Sequence, residues 1–365
     1  MRYEITSMQT IKLAVQTIIR ETQDAIAIYF RDEQGQIPHF WPGQFLTLVM
    51  NVKGQNVRRS YSICTSPTAL PVIGICVKRV DGGLVSNHLL DNLQEGDVLE
   101  VLEPYGTFTL NYKMADLPTL VLIGAGSGIT PLMSIIKSTI ELPNAPKIHL
   151  FYGNRSENSI IFKDQLEKFE AKYPERFEVT HLLSRASEGY TGIRSRIESK
   201  IMSALCSEKA IFADASANYY ICGPDGMMHD VLHMLEAQGI PKERVHKESF
   251  FLAHKPAEEV ASALPTTDAN DDGSRMIKLK LDGSIHEIKV PKGKYILETA
   301  LSHGLDLPYA CTMGVCGMCR AVKVQGEMFI EEQEAISESE IEDGACLTCV
   351  GMPVSHDLLI DYDAR

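Results

Sequence analysis

Nine cysteines are present, and four of them stand at a spacing that could do chemistry. Cys311, Cys316 and Cys319 lie in the run Cys-Thr-Met-Gly-Val-Cys-Gly-Met-Cys, and Cys349 follows some thirty residues later. Two irons bridged by sulfide need four thiolates, three from one tight loop and the fourth from a distant segment, and C-x4-C-x2-C…C supplies that set. Gly314 and Gly317 suit a backbone that must curl and aim N–H groups at sulfur, because glycine brings no Cβ into the bend. Structural zinc and disulfides are the alternatives. Zinc sites usually pair two C-x2-C knuckles, and although Cys346 and Cys349 have that gap, using them leaves Cys311 over. The expectation is a [2Fe-2S] cluster on Cys311, Cys316, Cys319 and Cys349, with Cys346 a buried, inert neighbour.

Other constellations lie upstream. In Arg58-Arg59-Ser60-Tyr61-Ser62, a strand would put Arg59 and Tyr61 on one side, offering a guanidinium fork to phosphate oxygens and a ring to stack on. An exposed strand with a solvated Arg is the plain alternative. Downstream, Gly82-Gly83-Leu84-Val85-Ser86 reads as a glycine turn into a helix, with Ser86 as its N-cap and several unpaired N–H groups that suit a pyrophosphate. A second glycine turn, Gly124-Ala-Gly126-Ser-Gly128-Ile-Thr130-Pro131, follows the apolar run Thr119–Ile123 and precedes a periodic helix, for which Thr130 reads as N-cap and Pro131 as first residue. Such a turn is where a dinucleotide's phosphates rest. The G-x-G-x-x-G fingerprint is not met, since Ile129 stands at its third glycine. The next two strands do not end in an acid suited to ribose hydroxyls, and the later one runs into Ser184-Arg185.

Three textures hold these residues. Residues 1–115 alternate in short β-branched runs between turns and read as an antiparallel β-barrel. Residues 116–252 alternate strands with helices, the pattern of a parallel-sheet α/β nucleotide domain. Residues 253–275 are acidic and aperiodic, a flexible linker, and residues 276–365 open with a hairpin pattern and a short helix before the cysteine loop, an α+β domain. A chain of 365 residues is too long for one core. There is no apolar run of membrane-spanning length, and Met1-Arg-Tyr-Glu-Ile-Thr-Ser does not lead into a signal peptide. An odd cysteine count with five scattered singly points to a reducing cytoplasm. The net charge of −13 argues against nucleic acid, and 15 acidic against 8 basic residues from Met276 onward put about −7 of it in the last quarter. The densest stretch, residues 331–343, is read as a solvated surface, with an acidic docking face for a basic redox partner as the sharper alternative.

The sequence Arg59-Ser-Tyr61-Ser62 resembles the Arg-x-Tyr-Ser signature of the ferredoxin–NADP reductase superfamily. That resemblance implies a multidomain electron-transfer protein in which Arg59 pairs with a flavin phosphate, Tyr61 stacks on the isoalloxazine and Ser62 bonds its N5 edge. The helix start at Gly83, Leu84, Val85 and Ser86 would take a pyrophosphate, which means FAD. Glu103-Pro-Tyr-Gly-Thr-Phe108 resembles the family's Pro-x-Gly-x-Phe strand end. Gly124, Gly126, Gly128, Thr130 and Pro131 are similar to its nicotinamide loop, and Cys222-Gly223-Pro224 with Met227 to its second nicotinamide signature, where Cys222 would serve packing and positioning at the hydride-transfer locus. Ser184-Arg185 is like the Ser-Arg that binds a 2′-phosphate, favouring NADPH over NADH, with Arg155, Arg194 and Arg196 as neighbours. Glu248 and Phe250 would be the closing carboxylate, for proton relay or positioning, and the ring-shielding aromatic. The last domain resembles a plant-type [2Fe-2S] ferredoxin of β-grasp fold. A nicotinamide gives two electrons as hydride and the cluster takes one, so a flavin between them makes the three sites a relay. This domain order resembles the reductase components of bacterial multicomponent oxygenases, the phenylacetyl-CoA epoxidase and ketosteroid hydroxylase types among them, and implies an oxygenase or hydroxylase as protein acceptor. Reductases for hybrid-cluster proteins or desaturases share the layout, and a non-catalytic redox-responsive binding module is the rival of another class.

Overall fold

The computed structural model describes residues 10–110, 119–250, 272–331 and 333–364. The chain forms two compact units, Met1–Ser249 and Phe250–Arg365. Most of the expected linker, 253–275, lies outside the described residues; its last four residues lead into the first strand of the second unit.

The first unit begins with six antiparallel strands, β1 (Ile11–Thr22), β2 (Ala25–Arg31), β3 (Phe45–Val52), β4 (Gln55–Ser62), β5 (Val72–Lys78) and β6 (Val98–Tyr105), in the spatial order β4-β3-β6-β1-β2-β5. Strand β1 alternates buried and exposed residues over its first half, the period-two signature of a sheet with one face on a core. Helix α1 (Leu84–Asn92) fills the gap between β5 and β6.

A five-stranded parallel sheet follows: β7 (Leu120–Ala125), α2 (Ile129–Thr139), β8 (Ile148–Asn154), α3 (Lys163–Lys172), β9 (Phe177–Leu183), α4 (Ser199–Glu208), β10 (Asn218–Cys222), α5 (Asp225–Ala237) and β11 (Val245–Glu248), ordered β11-β10-β7-β8-β9. Strand β7 is buried through its first five residues, as a strand covered on both faces must be. The order reverses beside β7, and the glycine turn leaves that strand's carboxyl end, the place where open α/β sheets receive ligands.

Barrel and parallel sheet share a core. Ala25, Ala27, Cys64, Cys76, Phe108 and Leu110 pack in one apolar cluster with Leu120, Leu132, Ile136 and Tyr220. The Phe108 and Tyr220 rings meet edge to face at 5.5 Å, and the Ser134 hydroxyl on α2 donates to the Thr65 carbonyl at 2.7 Å in a buried bond.

The second unit pairs β12 (Arg275–Leu281) with β13 (Ser284–Val290) through a two-residue turn, Asp282-Gly283, with both φ values positive (50° and 73°), the geometry of a tight hairpin. Helix α6 (Ile296–Ser302), β14 (Arg320–Gln325), β15 (Met328–Ile330), α7 (Glu338–Glu342), β16 (Ala345–Leu347), β17 (Gly351–Pro353) and β18 (Leu359–Asp361) complete it. Its main sheet runs β13-β12-β18-β14-β16 and packs α6 through Ile296, Leu297 and Ala300. Among the described residues no helix is long and apolar enough to cross a membrane.

Replacing Ser134 by Ala removes the donor to Thr65 and leaves a buried carbonyl unsatisfied. Ser134→Ala is expected to destabilise the first unit by about 1–3 kcal/mol. Denaturant unfolding followed by flavin release should show the loss, with cluster absorbance of the second unit melting as before.

Candidate functional site

The first site forms where β4 meets the parallel sheet. Strand β4 is an edge strand, Arg59 on it is exposed and Tyr61 is half-buried. Burial pushes the Tyr61 phenol up to about 12 against the pull of Arg59, so the ring is neutral at physiological pH and free to stack. Ser62, at the inner end of the strand, is buried and donates its hydroxyl to Glu248 Oε2 at 3.1 Å across 186 residues of sequence. Glu248 ends β11, directly opposite Cys222 at the end of β10. Burial raises the Glu248 carboxyl to about 8, with the Ser62 hydrogen bond opposing the shift. Burial, then the Glu248 charge, pushes the Cys222 thiol well up, so it stays protonated. Three residues expected to cooperate, Ser62, Cys222 and Glu248, therefore stand together. Phe250 follows the buried Ser249 and is half-buried.

The helix start below β5 differs in detail from expectation. Helix α1 begins at Leu84 with Gly83 as N-cap, and Ser86 lies inside the first turn. Its hydroxyl accepts from Val80 N–H at 3.1 Å, so Ser86 ties the loop to the helix instead of capping it. Arg79 braces the same loop through Asn87 at 2.7 Å and a pairing with Asp91. Leu84, Val85 and Ser86 supply first-turn N–H groups, which have no partner within a helix.

At the second glycine turn the cap again lies upstream of the expected residue, here by two positions. Helix α2 begins at Ile129 with Gly128 as N-cap, and Thr130 is its second residue, donating its hydroxyl to Ser127 O at 2.8 Å. Pro131 then lies in the first turn, where its missing N–H costs nothing. In both turns a glycine upstream takes the cap position, with extended backbone at Gly83 and helical backbone at Gly128, and the hydroxyl turns to the loop. Glycine is required here by contact. A Cβ on Gly128 would lie 2.0 Å from the Cys222 carbonyl oxygen, so the loop and the Cys222-Gly223 turn touch backbone to backbone. Gly126 has φ +55°, and its carbonyl accepts from the Tyr152 hydroxyl at 3.0 Å. Gly124 faces Leu132, whose Cδ1 would lie 2.8 Å from an added Cβ.

Ser184 and Arg185 are exposed at the end of β9, bonded through backbone to Asn154 at 3.0 Å and Arg155 at 2.7 Å. Arg155 and Arg185 thus share one rim. Arg194 is occupied otherwise, donating to the carbonyls of Ala186, Ser187, Glu188 and Tyr190 and so shaping the following loop. Lys78 was not foreseen. Its Nζ would lie 3.6 Å from a Cβ on Gly126, which brings a cation from the barrel to the glycine loop, and it pairs with Asp24 at 3.7 Å. The Val-Lys-Arg run before Gly82-Gly83 was the available signal.

The second site is the cysteine loop. All four thiols are buried. They interact in a row: Cys316 with Cys311, Cys311 with Cys349, Cys349 with Cys319. Among the described residues no three His, Cys, Asp or Glu side chains gather around one ion, whereas a row of four sulfurs can give two ligands to each of two irons. Thr312, Gly314 and Gly317 take positive φ of 58°, 73° and 73°, and this winding brings Met313 N–H to Cys311 Sγ at 3.3 Å and Met318 N–H to Cys316 Sγ at 3.5 Å. The Cys316 and Cys349 thiols, with the Met313 and Val315 amides, hold the Cys311 sulfur well below the usual thiol range. The donor set and its amides fit a [2Fe-2S] cluster. Cys346 stands apart, its thiol directed at Ala321 O at 3.5 Å and pushed up to about 12 by burial.

Residues 12–110 match the oxidoreductase FAD-binding domain, 122–233 the oxidoreductase NAD-binding domain, and 279–354 the 2Fe-2S iron-sulfur cluster binding domain. The chain is 36% identical over 361 residues to the ferredoxin reductase component of 3-ketosteroid-9-alpha-monooxygenase from Mycolicibacterium smegmatis, covering 97% of each. It is 32% identical over 357 residues to one of the subunits of 1,2-phenylacetyl-CoA epoxidase from Escherichia coli, covering 97% of this chain and 98% of that one. In fold it is similar to phthalate dioxygenase reductase, with a TM-score of 0.61 at 23% identity over 96% and 98% of the two chains. Three domain matches in this order, and full-length relatives above 30% identity, show that the chain belongs to the family of NAD(P)H-dependent reductase components that carry electrons through FAD to a C-terminal [2Fe-2S] cluster.

Proposed function

We propose that this chain is the cytoplasmic reductase of a multicomponent oxygenase, drawing electrons from NADPH and delivering them singly to a metal-containing oxygenase or hydroxylase. The observation that carries the reading is the Ser62–Glu248 hydrogen bond beside Cys222, which joins the flavin-side strand to the end of the nicotinamide sheet. The relatives named for ketosteroid monooxygenase and phenylacetyl-CoA epoxidase support an oxygenase as acceptor.

The flavin, when bound, accepts a hydride and releases electrons one at a time. The chain's own residues do the rest by positioning. Arg59 and the first-turn amides of Leu84, Val85 and Ser86 would hold the flavin's phosphates, and Tyr61 would cover its ring. Gly126, with Lys78 near it, would let the nicotinamide nucleotide's pyrophosphate come close to backbone at the start of α2, Gly124 and Gly128 letting that loop pack on Leu132 and the Cys222 turn, with Thr130 and Pro131 setting it. Cys222 and Gly223 form the floor under the nicotinamide. Ser62 and the protonated carboxyl of Glu248 offer hydrogen bonds at the reacting edge, Glu248 holding its proton there at neutral pH, and Phe250 would shield the ring from water. Catalysis of this kind is mainly orientation. Ser184 and Arg185, with Arg155 beside them, suit the 2′-phosphate of NADPH. Cys311, Cys316, Cys319 and Cys349 ligate the cluster.

Anaerobic mixing with limiting NADPH, and separately NADH, tests the reading: flavin should bleach first and cluster absorbance fall after it, faster with NADPH. Failure of either chromophore to respond would refute the relay. Arg185→Ala should raise the KM for NADPH by about tenfold or more, the worth of one charge-assisted hydrogen bond, and leave that for NADH nearly unchanged. Cys316→Ser should keep flavin reduction and dye reduction while abolishing transfer to a protein acceptor. For Glu248 the sign follows from its raised pKa: the neutral carboxyl stabilises the fold fully below the unfolded value of 4.5, and that contribution is lost as pH rises toward about 8. Glu248→Gln stays neutral throughout, so its stability relative to the wild type should increase from pH 4.5 to about 8 and then level off, measured by thermal unfolding across that range.

A further inference from the structure

Among the described residues three carboxylates outside the first site are buried, Asp32, Glu331 and Asp361. A buried carboxylate is unfavourable unless something holds it, so each should have a reason. Asp32 accepts from the Gln36 and Ile37 amides at 3.0 and 2.6 Å and so builds a turn. Asp361 pairs with Lys280 at 2.9 Å and ties β18 to β12. Glu331, 8% exposed, accepts from the Tyr295 hydroxyl at 2.5 Å.

The place of Glu331 is what distinguishes it. Its own N–H donates to the carbonyl of Val350 at 2.9 Å, the residue after the ligand Cys349. Two residues on, Gln333 packs against Gly314 so closely that a Cβ on Gly314 would lie 3.0 Å from the Gln333 Cβ. Next, Glu334 N–H donates to Gly314 O at 3.1 Å, in the middle of the ligand loop. Glu331, Gln333 and Glu334 therefore touch both stretches that carry the four cysteines. Leu297 N–H donates to the Thr348 carbonyl at 3.0 Å, so the helix start that carries Tyr295 meets the same stretch one residue before Cys349.

We propose that Glu331, clamped by Tyr295 beside the ligand loop, holds the reduction potential of the [2Fe-2S] cluster below the value its four thiolates alone would give. This rests on the cluster assignment above and adds a residue that is not a ligand. Net charge, hydrogen bonding and exposure set the potential of such clusters. A fixed carboxylate out of water is weakly screened and opposes the added electron. The Tyr295 hydroxyl spreads part of that charge, so removing the hydroxyl should sharpen the effect and removing the carboxylate should abolish it. The two changes have opposite signs.

The test is a mediated dithionite titration of the full chain at pH 8, following cluster absorbance and the electron paramagnetic resonance of the reduced cluster, with iron per protein measured alongside. Glu331→Gln should raise the midpoint by about tenfold in the one-electron equilibrium, about 59 mV, and Tyr295→Phe should lower it by less. Glu342→Gln removes the same unit of charge from the exposed end of α7 and should shift the equilibrium by less than threefold. A Glu331→Gln shift no larger than that of Glu342→Gln overturns the proposal, as does a Tyr295→Phe shift that is absent or upward. Should Glu331→Gln fail to assemble the cluster, the sign for Tyr295→Phe decides alone. Dithionite bypasses nicotinamide and flavin, so a cluster with the expected shifts that NADPH does not reduce would refute the relay and leave this inference standing.

Discussion

The apolar core shared by barrel and parallel sheet is the constraint on which the catalytic geometry depends. Ser62 can reach Glu248 only if β4 and β11 keep one fixed relation, and no hydrogen bond between two side chains could impose that relation by itself. Phe108, Leu110, Cys64 and Cys76 bury their surfaces among α2, β7 and β10, and that burial holds the interface. Polar contacts then specify its register: Ser134 to Thr65, and Phe162 N–H to the Glu21 carboxylate at 3.0 Å. Burial at the interface also creates the chemistry, since it is desolvation that keeps a proton on Glu248 and on Cys222.

Close backbone approach is the second recurring device. The Gly128 and Cys222 turns meet with no room for a side chain, and the cysteine loop winds through three positive φ values to turn its amides toward sulfur. In the proposed function both places surround a group that carries negative charge, pyrophosphate in one case and a sulfide-bridged cluster in the other. Backbone N–H groups do this without adding a titrating side chain.

The acidity of the last quarter divides on inspection. Glu340 closes a capping box with Ser337 and is gripped by Arg320, Glu331 is buried against Tyr295, and Glu338, Glu342 and Asp343 remain on the surface. A run that reads as uniform charge therefore contains a helix cap, an interior group and a solvated face. Charge counts cannot separate these because each needs a partner from elsewhere in the chain.

Features that local chemistry dictates are legible in the chain before it folds. Four cysteines at fixed spacing, the Arg59-Ser-Tyr61-Ser62 strand and the glycine turns marked the cofactors, and periodicity separated barrel from parallel sheet from cysteine-bearing domain. Local signals misled over which residue caps a helix: Ser86 and Thr130 look like caps, yet Gly83 and Gly128 occupy those positions while the two hydroxyls bond to loop atoms. The place of Lys78 over Gly126, the engagement of Arg194 by its own loop and the interior position of Glu331 depend on the folded chain. The reason is distance along the chain: 186 residues separate Ser62 from Glu248, and no local propensity spans that interval. Contacts of that kind exist only after the apolar cores have formed.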